Sequence, residues 1–365
     1  MTTSTAIFRL PLDERLSAWL SDHAEVLDAG DEQAGALLPQ LADAGLFRIG
    51  VPPELGGSGG AIADAIDAVA RVAEHSLTAA FVFWGHRTFI EYLLQSPNHA
   101  LAARLLPDLL AGRLAGATGL SNAMKYLSGI ESLQSSVTEV PDGYALDGKL
   151  PWVTNLRKQG FAVALAADNA TTGQPAIFAI PHDIDGLSRS DDLDLIALRG
   201  SNTAAISLDG IRLGAEWLIH ADANSFLPAV RPAFLGLQCG LALGVARTSL
   251  RMAGATRDAH RSILRDEIDQ AGAALEAQWR LLEQGVENGV FRDKPAQLFQ
   301  IRISLAELAS AALALELQAR GGNAYLNDRT DGFARRSREA AFIPIVTPSL
   351  VQLKTQLAQR RPVAA

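Results

Sequence analysis

Four groups of residues in this 365-residue chain have types and spacings that can do chemistry. Trp152 and Thr154, in Pro151-Trp-Val-Thr-Asn155, alternate along an extended segment, so an apolar wall and a hydroxyl donor can face one ligand. A tryptophan filling the core of a β-sandwich is the alternative reading of the same pattern. His75 and His86 stand eleven residues apart, about three turns, and share a face if one continuous helix carries both. His86 sits among Phe81, Phe83, Trp84 and Tyr92, as a satisfied core histidine does, or one presented to a cavity. Gln318-Ala-Arg-Gly-Gly322 ends a long apolar stretch with two glycines. Such a pair leaves a helix easily and gives a ligand or a second backbone room to approach; a plain helix stop is the alternative. The fourth feature is an absence: no Asp or Glu occurs between Ala223 and Arg257, nor in Ile345-Val-Thr347.

The elements that must position these residues follow from pattern. Helices are expected over Asp13–Ala29 and Gln33–Leu46, with Asp31 as a cap and Leu37, Leu38, Leu41 and Leu46 on one face. Pro52, Pro53, Gly56 and Gly57 make a turn, Ala61–His75 is a third amphipathic helix, and Ser76 caps a fourth. Pro97-Asn98 opens a fifth. From Gly116 the texture changes to short β-branched segments parted by Asp-Gly turns, including Ser135–Val140, Tyr144–Gly148, Phe161–Leu165, Pro175–Ile180 and Ala204–Leu208. These predict an antiparallel β domain. Lys125 reads as an exposed loop residue or a partner for a phosphate or carboxylate. Val230–Met252, Ala271–Val286 and Leu298–Arg320 complete a helical bundle, Leu235, Cys239, Ala242 and Ala246 giving the first helix a small-residue face.

The net charge of −8, without a basic block, argues against nucleic acid and anionic membranes as partners. The single cysteine, Cys239, suits a reducing compartment and leaves no internal disulfide. No signal-like segment opens the chain, and the apolar run Pro232–Ala246 is short for a membrane span, so a cytoplasmic location is expected.

Taken together these parts resemble the acyl-CoA dehydrogenase superfamily over nearly the whole chain. The resemblance rests on Gln318-x-x-Gly321-Gly322-x-x-Tyr325, on Arg336 fourteen residues after the second glycine, and on Thr347 eleven further on. It rests also on Gly45-Leu-Phe47 followed by Val51-Pro52 and Gly56-Gly57, and on Pro151–Asn155. It implies a mainly α fold with a β domain: an N-terminal helical domain over 1–115, a middle antiparallel β domain over 116–221, and a C-terminal helical bundle over 222–365. It implies FAD, with FMN as the alternative. Trp152 would then pack beside the isoalloxazine and Thr154 would reach its N5, with Leu120 and Ser121 the nearest equivalents of further flavin contacts. Gln318, Gly321 and Gly322, with Arg336 and Thr347 at matching positions, would serve a neighbouring subunit's cofactor, which implies a homodimer or homotetramer. His86, in Trp84-Gly-His86, matches a cavity-lining histidine and becomes the catalytic candidate.

Three departures limit what the resemblance implies. Ala117–Gly129 lacks the family's Thr-Glu-Pro and Gly-x-Gly-Ser-Asp, and no Arg-x-x-Phe-Gly follows the long helix. Laid on without gaps, the family's Glu-Gly-Thr falls on Ile345-Val346-Thr347, so the carboxylate that removes the substrate α-proton is missing. A positioned base contributes about a hundredfold to ten-thousandfold in rate. Three activities fit: a flavin oxidoreductase with its base elsewhere, a monooxygenase using reduced flavin from a partner reductase, or a non-catalytic flavin-binding or structural subunit. The substrate would be a small molecule or an acyl thioester, and an electron-transfer flavoprotein could take the electrons.

Overall fold

The structure, a computed structural model, describes residues 12–30, 32–255, 259–326 and 332–359. Five helices come first: α1 (Glu14–Ala29), α2 (Leu37–Asp43), α3 (Ile62–Ala73), α4 (Leu77–Leu94) and α5 (His99–Leu110). Side chains of Asp13, Ser76 and Asn98 cap α1, α4 and α5, each accepting a first-turn backbone N–H. The helix expected over Gln33–Leu46 is shorter than its pattern. A 3-10 turn covers Glu32–Ala36, the α-helix starts at Leu37, and Gly45 at φ +73° ends the run. Pro39 is consistent with the start, because it then falls in the first turn, where a missing N–H leaves no helix bond unmade. The expected cap Asp31 lies outside the described residues.

The chain then enters a sheet. Its strands are β1 (Ala115–Thr118), β2 (Ser135–Val140), β3 (Gly143–Val153), β4 (Phe161–Asn169), β5 (Ala176–Pro181), β6 (Leu187–Arg189), β7 (Ala204–Leu213) and β8 (Leu218–His220). The order β6-β7-β3-β2-β4-β5-β8 is antiparallel except at β2–β4, and β1 adds a second parallel pairing to β4. The expected antiparallel β domain is present, with these two parallel pairings added to it. β1 leaves the helical region directly alongside β4, and a short helix, α6 (Ser121–Tyr126), intervenes before β2. Hydrogen bonds from Ser96 Oγ to Ile219 O and from Asn98 Nδ2 to Leu218 O fasten the turn before α5 to β8.

Among the described residues six helices follow: α7 (Ala223–Gly254), α8 (Arg265–Glu287), α9 (Val290–Asp293), α10 (Pro295–Arg320), α11 (Phe333–Ala340) and α12 (Leu350–Gln359). α7 begins earlier than expected because Asp222 caps it, and it runs 32 residues through Pro228 and Pro232. Its close-packing face is Gly236, Gly240 and Gly244, beside the expected row of Leu235, Cys239, Ala242 and Ala246. A Cβ at Gly244 would lie 2.1 Å from the Ala70 carbonyl oxygen, so α3 and α7 touch backbone to backbone. α7 and α10 are long and apolar enough to cross a membrane by length and composition, unlike the shorter run expected from sequence. In this fold both contribute buried residues to the protein's core.

Candidate functional site

The candidate site is where β3 ends against α4. Trp152 is 58% exposed, which removes the core-filling reading, whereas Thr154 is buried. Simple alternation does not hold across them, because the β3–β7 register shifts between Leu150 and Val153 and Asn155 turns the chain at φ +64°. The bulge leaves the indole on the rim and aims the Thr154 side chain at α4. The Thr154 hydroxyl donates a long hydrogen bond, 3.3 Å, to Ser201 O. Its methyl lies 3.0 Å from where a Gly85 Cβ would stand, so only glycine leaves α4 this close to the strand. Ser201 O also accepts from Asn155 N–H, which ties the strand end to the turn at residues 198–202. Asn155 Oδ1 is buried without a hydrogen-bond partner.

Leu120 and Ser121 follow Gly119, which packs on β3 near Leu150. Gly119 packs so closely on β3 and β4 that a Cβ would lie 2.6 Å from Leu150 Cδ1 and from Ala164 O. Leu120 is buried and precedes α6, whose first-turn N–H groups have no intrahelical acceptor. Lys125, on α6 and not in a loop, is held by Glu131 at 2.6 Å, and this hydrogen bond keeps the Glu131 carboxyl below its usual range. Asn122 Nδ2 donates to Glu131 Oε2 and Ser132 O. The lysine is therefore spent on Glu131, in the segment that follows its own helix, and is not a spare phosphate ligand.

His86 is placed as a core residue. It is fully buried, its Nε2 lies 3.0 Å from Leu109 O, and its Nδ1 accepts from Gly116 N–H at 3.0 Å. Those partners fix the neutral Nε2–H tautomer. The ring stands 4.0 Å from that of Phe47, and burial lowers its pKa to about 3. Asn155 Nδ2 donates to Gly116 O at 2.9 Å, so His86 and Asn155 grip the two ends of one residue at the start of β1. Neither ring nitrogen is free to take a proton from a ligand. His75 does not share the helix: it lies in the turn between α3 and α4, its Nδ1 2.8 Å from Ser21 Oγ. Burial lowers its pKa as well.

The C-terminal candidates form a second group. Gln318 is exposed and donates to Ala314 O on its own helix. Gly321 leaves α10 at φ +57°, and no atom lies within 4 Å of where a Gly322 Cβ would stand. The turn Gly321–Tyr325 packs on α10 and α11, so these residues are not brought to Trp152 within one chain. Arg336 is buried against Glu316, burial pulling its pKa down. The Thr347 carbonyl accepts from Gln238 Nε2 at 3.0 Å, and Ile345 is 64% exposed. No Asp or Glu occurs between Ala340 and Gln359.

Sequence reasoning missed the wall between the two groups. Phe342 meets Phe81 edge-on at 4.9 Å, Phe81 stacks on Trp84 at 5.5 Å, and Trp84 meets Phe234 edge-on at 5.4 Å. The four rings pack on one another beside Gly85, from α4, α7 and the segment after α11, and Phe81, Trp84 and Phe234 are buried. Phe81 and Trp84, one helical turn apart and next to Gly85, were the available signal. Two clefts lie elsewhere: about 290 Å³ between α10 and α11, lined by Leu313, Leu317, Phe333 and Pro344, and about 760 Å³ among α8, α9 and α10.

Three features here are of the kind the ring end of a flavin needs: an exposed indole, a hydroxyl whose hydrogen bond is long, and a glycine that brings α4 close beside it. The cradle for its phosphates is not matched by any free basic side chain on α6.

Residues 9–113 match the acyl-CoA dehydrogenase N-terminal domain. Benzylmalonyl-CoA dehydrogenase of Aromatoleum aromaticum is 26% identical over 65% of this chain and 63% of its own length. The probable acyl-CoA dehydrogenase YngJ of Bacillus subtilis is 25% identical over 89% of each. FkbI, described for biosynthesis of a methoxymalonyl extender unit, superposes with a TM-score of 0.81 over 95% of this chain and 98% of its own, at 20% identity. A dibenzothiophene monooxygenase from Paenibacillus sp. A11-2 shares the fold at a TM-score of 0.74 over 96% and 97%, at 18% identity. Residues 9–113 thus carry an acyl-CoA dehydrogenase N-terminal domain, and the chain as a whole, with helices, central sheet and helices in this order, is similar in sequence and fold to the acyl-CoA dehydrogenase superfamily.

Proposed function

We propose that this protein is a flavin-dependent oxidoreductase that binds FAD at the end of β3 and works without a carboxylate base of its own. One observation carries the reading: Trp152 on the rim and Thr154 inside, held against Gly85 of α4. A bound flavin supplies the two-electron redox chemistry. The chain supplies an apolar face at Trp152, a hydroxyl at Thr154 that can leave its long bond to Ser201 O, and the backbone N–H groups at Leu120 and Ser121. The rings of Phe81, Trp84, Phe234 and Phe342 exclude water from the approach, which strengthens any polar contact made inside it. Gln318, Gly321 and Gly322 stand apart from this place and suit the cofactor of a second copy, so a homodimer or homotetramer is part of the proposal.

The nearest histidine has both nitrogens engaged, and neither α7 nor the segment after α11 offers a carboxylate. Those facts favour, as a second reading, a reduced-flavin-dependent monooxygenase of small apolar substrates. Such an enzyme needs a dry aromatic cleft more than a base for an acyl α-proton. The likeness to a monooxygenase supports it; the likeness to acyl-CoA dehydrogenases supports a thioester substrate with an electron-transfer flavoprotein or a reductase as partner.

Titration of the purified protein with FAD and with FMN tests the site. Thr154→Val and Trp152→Ala should each weaken binding by about tenfold or shift the flavin spectrum, the loss of roughly one good contact. Unchanged affinity and spectrum in both variants would remove the flavin from this place. Oxygen uptake only on addition of reduced flavin selects the second reading, and bleaching of bound flavin by an acyl-CoA selects the first.

A further inference from the structure

Arg302 of α10 is fully buried, yet no carboxylate among the described residues pairs with it. Its Nε donates to Gln238 Oε1 at 2.8 Å and an Nη2 proton goes to Ile343 O at 2.7 Å, while Nη1 has no partner. Gln238 Nε2 passes the connection on to Thr347 O. The neighbouring thiol adds no negative charge, since burial pushes Cys239 up to about 12. A guanidinium in such surroundings keeps a large desolvation penalty, and an apolar side chain of similar volume would pack there at less cost. Its two engaged nitrogens therefore point to what the charge is kept for. One binds the segment after α11 directly; the other binds it through Gln238.

That segment carries Phe342, whose ring leans on Phe81, which stacks on Trp84 beside Gly85 and Thr154. We propose that Arg302 and Gln238 are positioning residues: their fork grips the carbonyls of Ile343 and Thr347 and holds the Phe342–Thr347 segment as a fixed wall of the candidate cleft. The proposal rests on the flavin reading for its functional meaning, but its geometry is testable without a flavin. Planarity matters here, because a guanidinium serves two acceptors at a fixed angle and an ammonium does not.

Hydrogen exchange of the whole protein, read by mass spectrometry, is the test. Ile343, Ile345, Val346 and Leu350 donate their N–H groups to Ala340, Phe342, Phe342 and Pro344. In Arg302→Met these four amides should exchange about tenfold faster or more, the loss of one to two hydrogen bonds' worth of local stability. The amides of 236–246 in α7 should keep their rates. Arg302→Lys should fail to restore protection, and both variants should weaken FAD binding. Gln238→Leu, which removes the Thr347 branch and the acceptor of Arg302 Nε but leaves the bond from Arg302 Nη2 to Ile343 O, should also accelerate exchange in the segment and serves if Arg302→Met does not fold. Unaltered exchange in the segment would overturn the proposal, as would uniform acceleration across α7 and α10, or full rescue by lysine. A wild-type protein that takes up no flavin would refute the flavin reading, while the exchange result would still decide the positioning.

Discussion

The burial of His86 predicts a specific acid sensitivity. Its pKa, lowered to about 3 in the fold, compares with 6.5 for the free side chain. Between those values the unfolded chain binds a proton that the native protein refuses, so stability is complete above the unfolded pKa and falls with pH below it. With 1.36 kcal/mol per unit, His86 alone should cost about 2 kcal/mol between pH 7 and pH 5 and about 3 by pH 4. The main physical cause is burial, which penalises the charged ring; in addition a protonated Nδ1 would meet the Gly116 N–H that it now accepts, proton against proton. The assay is a pair of urea titrations, at pH 7 and pH 5, on the wild type and on His86→Gln. Other groups titrate in this range, so the quantity of interest is the difference between the two proteins. His86→Gln should be less stable at pH 7, by about 1–3 kcal/mol if one of the two partners is left unpaired. It should then lose about 2 kcal/mol less than the wild type on going to pH 5. Equal losses in the two proteins would refute the buried, doubly bonded histidine, and a stable His86→Gln protein with abolished turnover would restore it as a base.

The glycines give three packing predictions. Gly85→Ala gains about 1 kcal/mol of helix propensity but presses a Cβ to 3.0 Å from the Thr154 methyl. Since overpacking costs about 1–3 kcal/mol, the variant should be neutral to destabilised; adding Thr154→Ser should recover the difference in a double-mutant cycle, and strict additivity would show that the two residues do not touch. Gly244→Ala, with a Cβ 2.1 Å from Ala70 O, should lower stability by about 3 kcal/mol. Gly254→Ala, where no atom lies within 4 Å of the added Cβ, should be neutral or slightly stabilising by thermal melting.

Much of this protein is legible in its sequence because the signals are local. Ser76 and Asn98 announce helix starts through their own side chains, and Ser135–Val140 was bounded correctly as a strand by alternation and turn residues alone. Pattern also identified Trp152 and Thr154 as a pair worth attention. It could not separate their surroundings, because the register shift between Leu150 and Val153 depends on how β7 pairs with β3. It could not tell a cavity histidine from a core one either. The two groups that engage His86, Leu109 O and Gly116 N–H, lie 23 and 30 residues away and belong to other elements. Arg302 was invisible for the same reason: its acceptors come from α7 and from the segment after α11, 64 and 41 residues distant. Composition and spacing determined which elements form and where carboxylates are lacking, since both depend only on neighbours along the chain. Which polar atoms are already satisfied was decided by the tertiary structure, because a hydrogen bond across the core is fixed by packing and leaves no mark on the order of residues.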